Sequence, residues 1–168
     1  MRIDFQGIKK CAFLNGRLFN IWNYSEFGWG YYTQNAELAE SFGFKKEDYF
    51  EESKTYFLPI KDIAHTRGFY STVFCVYKGY ECFVHSCNKN KNTFCVAIPV
   101  DLALTMGIGA YRWGHETPSM IVPLSDLDEI YRRREKLDDF IFDVDPIKPI
   151  YKDGKWLIEP DENGVYVI

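Results

Sequence analysis

The sequence of 168 residues has no apolar run of the roughly 18 residues that a membrane-spanning helix needs. Its N-terminal stretch also lacks the apolar segment of a secretory leader. We therefore expect a cytoplasmic protein with no membrane partner. Lysine and arginine number 20 against 24 aspartates and glutamates, which gives a formal net charge of −4. Because proteins that hold phosphate backbones need clustered cations, direct nucleic-acid binding is not expected.

The sequence also lacks the short motifs that identify common active sites. It contains no GxSxG, HExxH, P-loop, EF-hand or kinase motif. Histidine occurs only three times, and the five cysteines include no CxxC pair. We interpret the cysteines as reduced thiols of a cytoplasmic protein. No cofactor and no enzymatic activity are predicted.

Aromatic side chains, in contrast, make up 18% of the sequence, which favours β-strands. Three two-residue turn signals lie between apolar segments: Asn15-Gly16, Lys78-Gly79 and Asp153-Gly154. Such pairs suit type I′ hairpin turns, because glycine adopts positive φ freely and asparagine or aspartate tolerates it. The length fits a single globular domain over residues 1–168.

Two segments have the pattern of helices. One follows Asn35, a possible N-cap, and ends before Gly43. The other begins at Ser125, in "SDLDEIYRRREKLDDF", where apolar residues recur at helical spacing. The sequence therefore predicts an α+β fold, a mostly antiparallel twisted sheet of hairpins or a meander with two to four short helices packed against it.

The stretch "YKGYECFVHSCNKNKNTFC", residues 77–95, contains three cysteines and one histidine. A turn at Lys78-Gly79 places Cys75 opposite Cys82, with both thiols on an apolar core face. A simple five-residue loop over 88–92 then places His85 opposite Cys95 and Cys87 opposite Thr93. Three residues of metal-ligand type thus fall on the second face: His85, Cys87 and Cys95.

These three residues allow two chemical interpretations beside simple packing. Two cysteines and one histidine with an open position can hold catalytic zinc. A Cys95–His85 pair could instead act as a nucleophile and its base. Both would support a Cys/His-dependent hydrolase or a metal-dependent nuclease. We favour packing, since no ligand pair has the spacing of a metal site, and we predict no metal.

The segment from Trp22 to Tyr32 contains six aromatic residues, interrupted by Gly28 and Gly30. Large aromatic side chains dominate the binding energy of protein interfaces. An aromatic pocket would instead suit a small-ligand sensor. The predicted partner-binding residues are three aromatic anchors and four acidic residues of "KKEDYFEESK": Trp29, Tyr31, Tyr32, Glu47, Asp48, Glu51 and Glu52.

A small acidic chain that is rich in aromatic residues and has no catalytic set resembles, in general type, bacterial immunity proteins and other proteinaceous inhibitors. The resemblance carries no site residue. It implies a non-enzymatic protein-binding inhibitor of the immunity or antitoxin type, which would occlude a basic toxin or nuclease. The hydrolase or nuclease and the small-ligand sensor remain the alternatives.

Charge reversal at Glu51 and Glu52 should slow association with a basic protein partner, because acidic residues at an interface rim mainly set the association rate. The effect should shrink as salt is raised, since exposed charges are screened over about 8–10 Å at physiological ionic strength. Stopped-flow mixing with the partner at two salt concentrations measures both. An association rate that is unchanged at low salt would contradict the prediction.

Overall fold

The computed structural model describes residues 2–4, 8–46, 54–88, 90–109, 117–159 and 165–167. The chain divides into two compact units. We call them the aromatic unit, Lys9–Ser71 with Glu135–Val144, and the meander unit, Met1–Ile8 with Thr72–Arg134 and Asp145–Ile168. Both are mainly antiparallel sheet, which confirms the coarse fold class. The expectation of a single globular domain stays a prediction. No helix in the described ranges is both long and apolar enough to cross a membrane.

The described strands are β1 Arg2–Asp4, β2 Lys9–Leu14, β3 Arg17–Tyr24, β4 Gly28–Thr33, β5 Lys45–Lys46, β6 Tyr56–Pro59, β7 Gly68–Tyr77, β8 Tyr80–Asn88, β9 Thr93–Ala97, β10 Ser119–Pro123, β11 Leu127–Lys136, β12 Ile147–Lys152, β13 Lys155–Trp156 and β14 Val165–Val167. The helices are α1 Ala36–Phe42 and α2 Val100–Thr105, with two 3-10 turns at Ile63–His65 and Leu124–Asp126. Two α-helices in these ranges stand at the low end of the predicted two to four.

Strand pairing can be stated for each unit separately. In the aromatic unit the order is β7-β2-β3-β4-β6-β5, where β7 contributes its residues up to Ser71. In the meander unit β10, β9, β8 and β7 are successive neighbours, and β11 pairs with both β7 and β12. All of these pairs are antiparallel where the register is described, whereas β1 and β14 form a separate parallel pair.

The three predicted two-residue turns are confirmed. Positive φ occurs at both central residues of each, with values of 48° and 79° at Asn15-Gly16, 51° and 78° at Lys78-Gly79, and 50° and 76° at Asp153-Gly154. This pair of angles defines a type I′ turn, whose twist matches that of the strands it joins. The turns connect β2 to β3, β7 to β8 and β12 to β13.

The first predicted helix is α1. The side chain of Asn35 accepts a hydrogen bond from the backbone N–H of Leu38 at 3.1 Å, and Gly43 ends the helix with φ of 74°. These are the N-cap and the left-handed C-terminal residue that the sequence predicts.

The second predicted helix is wrong. Residues 127–136 form strand β11, preceded by a single 3-10 turn. Leu127 and Ile130, three positions apart, both lie in the core, which gives this stretch the apolar spacing of a helix although it pairs as a strand with β12. Beyond Ile130 the register shifts, because Ile130 pairs with Tyr151 and Tyr131 with Pro149, so that Ile150 of β12 is an extra residue at this point.

Each unit has its own apolar core. In the meander unit, strands β7 to β9 contribute a row of nearly inaccessible side chains, among them Val73, Cys75, Cys82, Val84, Phe94 and Val96. In the aromatic unit the core includes Ala12, Phe19, Ile21, Tyr31, Ala39, Phe44, Leu137 and Phe140. Cys75 pairs with Cys82 and Tyr77 with Tyr80, as the turn at Lys78-Gly79 predicts.

Replacing Cys75 or Cys82 with alanine should lower the free energy of unfolding by about 1–2 kcal/mol, because each thiol fills fully buried space. Urea titration followed by tryptophan fluorescence measures the change. Cys95→Ala is the matched control, since Cys95 is only partly buried and should cost less. An equal decrease in the free energy of unfolding for all three variants would show that burial does not determine how much each cysteine contributes to stability.

Candidate partner-binding surface

Strands β3, β4 and β6 present one face to the aromatic-unit core and a second face away from it. Paired residues share a face, and side chains alternate along each strand. The core face carries Phe19, Ile21 and Tyr31. The registers place the opposite side chains in three rows, Asn20 with Tyr32 and Phe57, Trp22 with Gly30 and Pro59, and Tyr24 with Gly28.

Gly30, which has no side chain, leaves space on this second face for the ring of Phe57. A Cβ atom at Gly30 would lie 1.9 Å from Cε2 of Phe57, which is far inside van der Waals contact. The Phe57 ring therefore occupies the space that any other residue at position 30 would fill. Tyr24 packs its ring edge-on against Phe57, with centroids 4.8 Å apart, and the Phe27 ring lies 6.3 Å away. Phe57 is only 2% exposed as a result.

Trp22 and Phe27 are each 53% exposed. They lie on β3 and in the turn that joins β3 to β4, within a few residues of Tyr24. Strand register places Trp22, Tyr24, Tyr32 and Phe57 on the outer side, and the Phe27 ring adjoins Phe57. We call this set the aromatic face, consisting of Trp22, Tyr24, Phe27, Tyr32 and Phe57. Exposed apolar clusters of this kind mark binding sites more often than isolated exposed residues do.

Two tyrosine hydroxyls add polar groups to the aromatic face. Partial burial raises the pKa of Tyr24, and the nearby Tyr32 raises it further. Burial likewise raises the pKa of Tyr32, with a smaller contribution from Cys11. Both hydroxyls are therefore protonated at neutral pH.

The three predicted aromatic anchors fall in different places. Tyr31 is 4% exposed and its hydroxyl donates to the carbonyl oxygen of Phe13 at 3.0 Å, so it belongs to the core and not to the surface. Trp29 lies on the core face as well, packed edge-on against Phe140 with centroids 5.2 Å apart. Only Tyr32 lies on the aromatic face. The sequence prediction did not select the more exposed Trp22 and Phe27 as anchors, although both lie within the aromatic segment from Trp22 to Tyr32.

Lys10 lies among three rings of the same unit. Its ammonium nitrogen is 5.3 Å from the centroids of both Trp22 and Trp29 and 5.7 Å from that of Tyr70. A cation at this distance over an aromatic face is attracted to the ring quadrupole. One side of Trp22 is thus held in place within its own chain.

The four predicted acidic partner-binding residues lie outside the described residues. Glu47, Asp48, Glu51 and Glu52 belong to the segment between β5 and β6. Their contribution to a surface stays a prediction.

The predicted arrangement of His85, Cys87 and Cys95 is not found. A bulge at His85 shifts the register between β8 and β9, so that Cys95 pairs with Ser86 and Cys87 pairs with Phe94. Phe94 is a core residue, and Cys87 packs against the same core, whereas Cys95 and Ser86 lie on the opposite face. No three His, Cys, Asp or Glu side chains within the described ranges lie close enough to hold a metal ion together.

The second face of the meander unit instead carries a polar cluster around Glu81. The Tyr131 hydroxyl donates to Oε2 of Glu81, and Nη2 of Arg133 donates to the same oxygen at 2.5 Å. The Arg133 guanidinium lies 4.2 Å from the ring centroid of Phe74, which also stacks with Tyr131. Burial acts to raise the pKa of Glu81, but the hydrogen bonds from Tyr131 and Arg133 outweigh it and hold the pKa below its ordinary value.

Tyr131→Phe should raise the pKa of Glu81 toward its ordinary value, because the substitution removes one hydrogen bond to the carboxylate and keeps the ring. A lowered pKa in the folded state stabilises the protein above the ordinary carboxyl pKa of about 4.3, and this contribution is lost as the pH falls through the lowered value. The free energy of unfolding should therefore fall less steeply below about pH 4 in Tyr131→Phe.

Carbon-13 NMR titration of the Glu81 carboxyl measures the pKa directly, and urea titrations across the acid range measure stability. Tyr77→Phe, in the same unit, should leave the pKa of Glu81 unchanged. A wild-type Glu81 that titrates at its ordinary value would show that the two hydrogen bonds do not govern its ionisation.

Comparison with protein-family models, with curated proteins and with solved structures finds no match. Function is therefore argued from the residues of this chain.

Proposed function

We propose that this protein is a non-enzymatic protein-binding inhibitor of the immunity or antitoxin type. It would act in the cytoplasm and occlude a basic toxin or nuclease through the aromatic face. The observation that carries this proposal is the exposure of Trp22 and Phe27, each 53%, beside the packed rings of Tyr24 and Phe57. Such rings combine a large contact area with little conformational freedom to lose on binding.

The packing beneath these rings supports a binding role. Trp22 contacts the Lys10 ammonium, and Phe27 lies near Phe57, which fills the space over Gly30. Side chains held in this way lose less entropy when a partner binds, so more of the contact energy appears as affinity. Tyr32 extends the same surface onto β4, and the buried Phe57 ring supports it from β6.

The charge of the chain supports a basic partner. The net charge is −4, and the acidic segment with Glu47, Asp48, Glu51 and Glu52 is separated by residues 53–55 from β6, the strand that carries Phe57. Glu26 is exposed in the turn between β3 and β4 and directly precedes Phe27 in the sequence. Acidic residues around an aromatic centre would speed the approach of a basic protein and disfavour acidic competitors.

The alternative enzymatic function has less support. It depended on a face shared by His85, Cys87 and Cys95, and the bulge at His85 places Cys87 and Cys95 on opposite faces of the sheet. The small-ligand sensor depended on an aromatic pocket, whereas the aromatic face is an outer sheet face with two half-exposed rings. Neither alternative is carried by a specific arrangement of described residues.

Trp22→Ala and Phe27→Ala should each weaken partner binding by about 2 kcal/mol or more while the protein remains folded, because both rings are exposed and belong to the proposed contact. The partner is first captured from the source cell with the wild-type chain and then purified. Calorimetric titration of the purified partner with each variant gives the loss of affinity, and thermal unfolding checks the fold.

Leu104→Ala is the matched control. Leu104 is an apolar residue of α2 in the meander unit and is 55% exposed. Truncating its side chain to alanine should leave the affinity for the partner unchanged. Trp29→Ala should instead lower stability, since Trp29 packs against the core. Wild-type affinity in both Trp22→Ala and Phe27→Ala, or an acidic captured partner, would refute the proposal.

A further inference from the structure

Strand β10 forms one end of the described pairing order of the meander unit. Within the described residues it pairs only with β9, and its residues alternate in exposure. Val122 is 1% exposed and faces the core, whereas Ser119, Ile121 and Pro123 are exposed, with Ile121 at 65%. The backbone of β10 therefore has a second side that the described strands leave without a partner.

The hydrogen bonds at both ends of the pair show which backbone groups point to that side. Ile98 donates its N–H to the carbonyl of Pro118 at 3.0 Å, and Leu124 donates to the carbonyl of Asn92 at 2.9 Å. In an antiparallel pair the hydrogen-bonded residues are every second one. Met120 and Val122 therefore bond to β9. The N–H and C=O groups of Ser119 and Ile121, and the C=O of Pro123, point away from it.

A recess of about 470 Å³ adjoins this edge near the loop that joins β8 to β9, and Cys87 and Asn90 are among the residues that line it. Ile121, Cys95 and Ser86 form one row across β10, β9 and β8, and all three line the recess. Asn88 and Thr93, paired with each other, line it further along the strands. All described side chains that line the recess are uncharged, and burying an unpaired charge against them would be costly.

We propose that the edge of β10 that the described strands leave unpaired binds an extended peptide segment of another protein as an additional strand, with a long uncharged side chain of that segment in the adjoining recess. Peptides that add to a sheet edge gain affinity from main-chain hydrogen bonds and specificity from side-chain pockets beside the edge. The outward groups of Ser119, Ile121 and Pro123 supply the hydrogen bonds. The row from Ile121 to Ser86 supplies the pocket. The aromatic face takes no part in this site.

The recess favours a foreign peptide over a second copy of β10. In a symmetric pair of β10 strands, the Ile121 side chains would lie near each other at the edge. Neighbouring strands are about 4.8 Å apart, so an isoleucine there would remain about two strand spacings from β9 and would leave the recess open. A longer side chain, such as phenylalanine, methionine or glutamine, reaches diagonal neighbours across a strand. The recess therefore selects peptides in which the side chain that enters it is long and uncharged.

A phage-displayed library of random linear peptides, selected on the folded full chain, tests this proposal. The most enriched peptide is synthesised, and its dissociation constant is measured by fluorescence anisotropy. Amide hydrogen exchange of the protein is recorded with and without the peptide. We expect slower exchange at Ser119 and Ile121, and a long uncharged residue in the enriched sequences.

Ile121→Pro should weaken the binding of that peptide about fivefold or more, since proline lacks the outward N–H. Edge strands tolerate proline where the N–H faces solvent, so the fold should survive, which circular dichroism checks. Ile121→Thr keeps the N–H and separates the effect of the side chain from that of the backbone. If Ile121→Pro does not fold, the enriched peptide is N-methylated at alternate amides, which removes the N–H groups that would pair with β10. This peptide should bind the wild-type chain more weakly than the unmodified peptide.

Four results would overturn the proposal. The first is the absence of any enriched peptide, and the second is equal binding of the peptide by Ile121→Pro and by the wild type. The third is slowed amide exchange that occurs elsewhere, for example at the aromatic face. The fourth is a dimer, detected by light scattering, in which the amides of Ser119 and Ile121 are already protected without peptide. That result would assign the edge to a second copy of the chain.

Discussion

The register of the hairpins is the constraint on which the rest of the structure depends. Because side chains alternate across a sheet, a slip of one residue would move every core residue of a strand to the opposite face. The type I′ turns at Asn15-Gly16 and Lys78-Gly79 each contain only two loop residues, and this loop length fixes the register of the paired strands. They place Phe19 opposite Ala12 and Cys82 opposite Cys75, and thereby determine which face each unit buries.

The aromatic face follows from the same alternation. Once Phe19, Ile21 and Tyr31 face the core, the intervening residues of β3 and β4 must face away from it. The aromatic content is too high for one side of the sheet, so rings cover both sides. On the outer side the Phe57 ring occupies the volume over Gly30, which makes a glycine within a strand compatible with close packing.

Bulges modify this alternation at two places, and each changes the chemistry of a surface. The bulge at His85 moves Cys87 to the core side and leaves Cys95 on the exposed side, so a set of three potential ligands does not form. The irregularity between Ile130 and Tyr131 lies beside the residues that bind Glu81. Tyr131 and Arg133 reach Glu81 from a strand distant in sequence, where no local pattern predicts a contact.

The sequence alone determined the features that depend on neighbouring residues. The three turns, the caps of α1 and the burial of Cys75 and Cys82 all follow from local backbone preferences and from strand alternation near a turn. Tertiary structure decided the features that depend on an extra residue in a strand or on a distant partner. Strand β11 has apolar residues at helical spacing yet pairs with β12, and Trp29 and Tyr31 are core residues while Trp22 and Phe27 are exposed. The physical reason is that β3 and β4 carry aromatic residues on both of their alternating faces, so only packing against other strands selects which rings are buried.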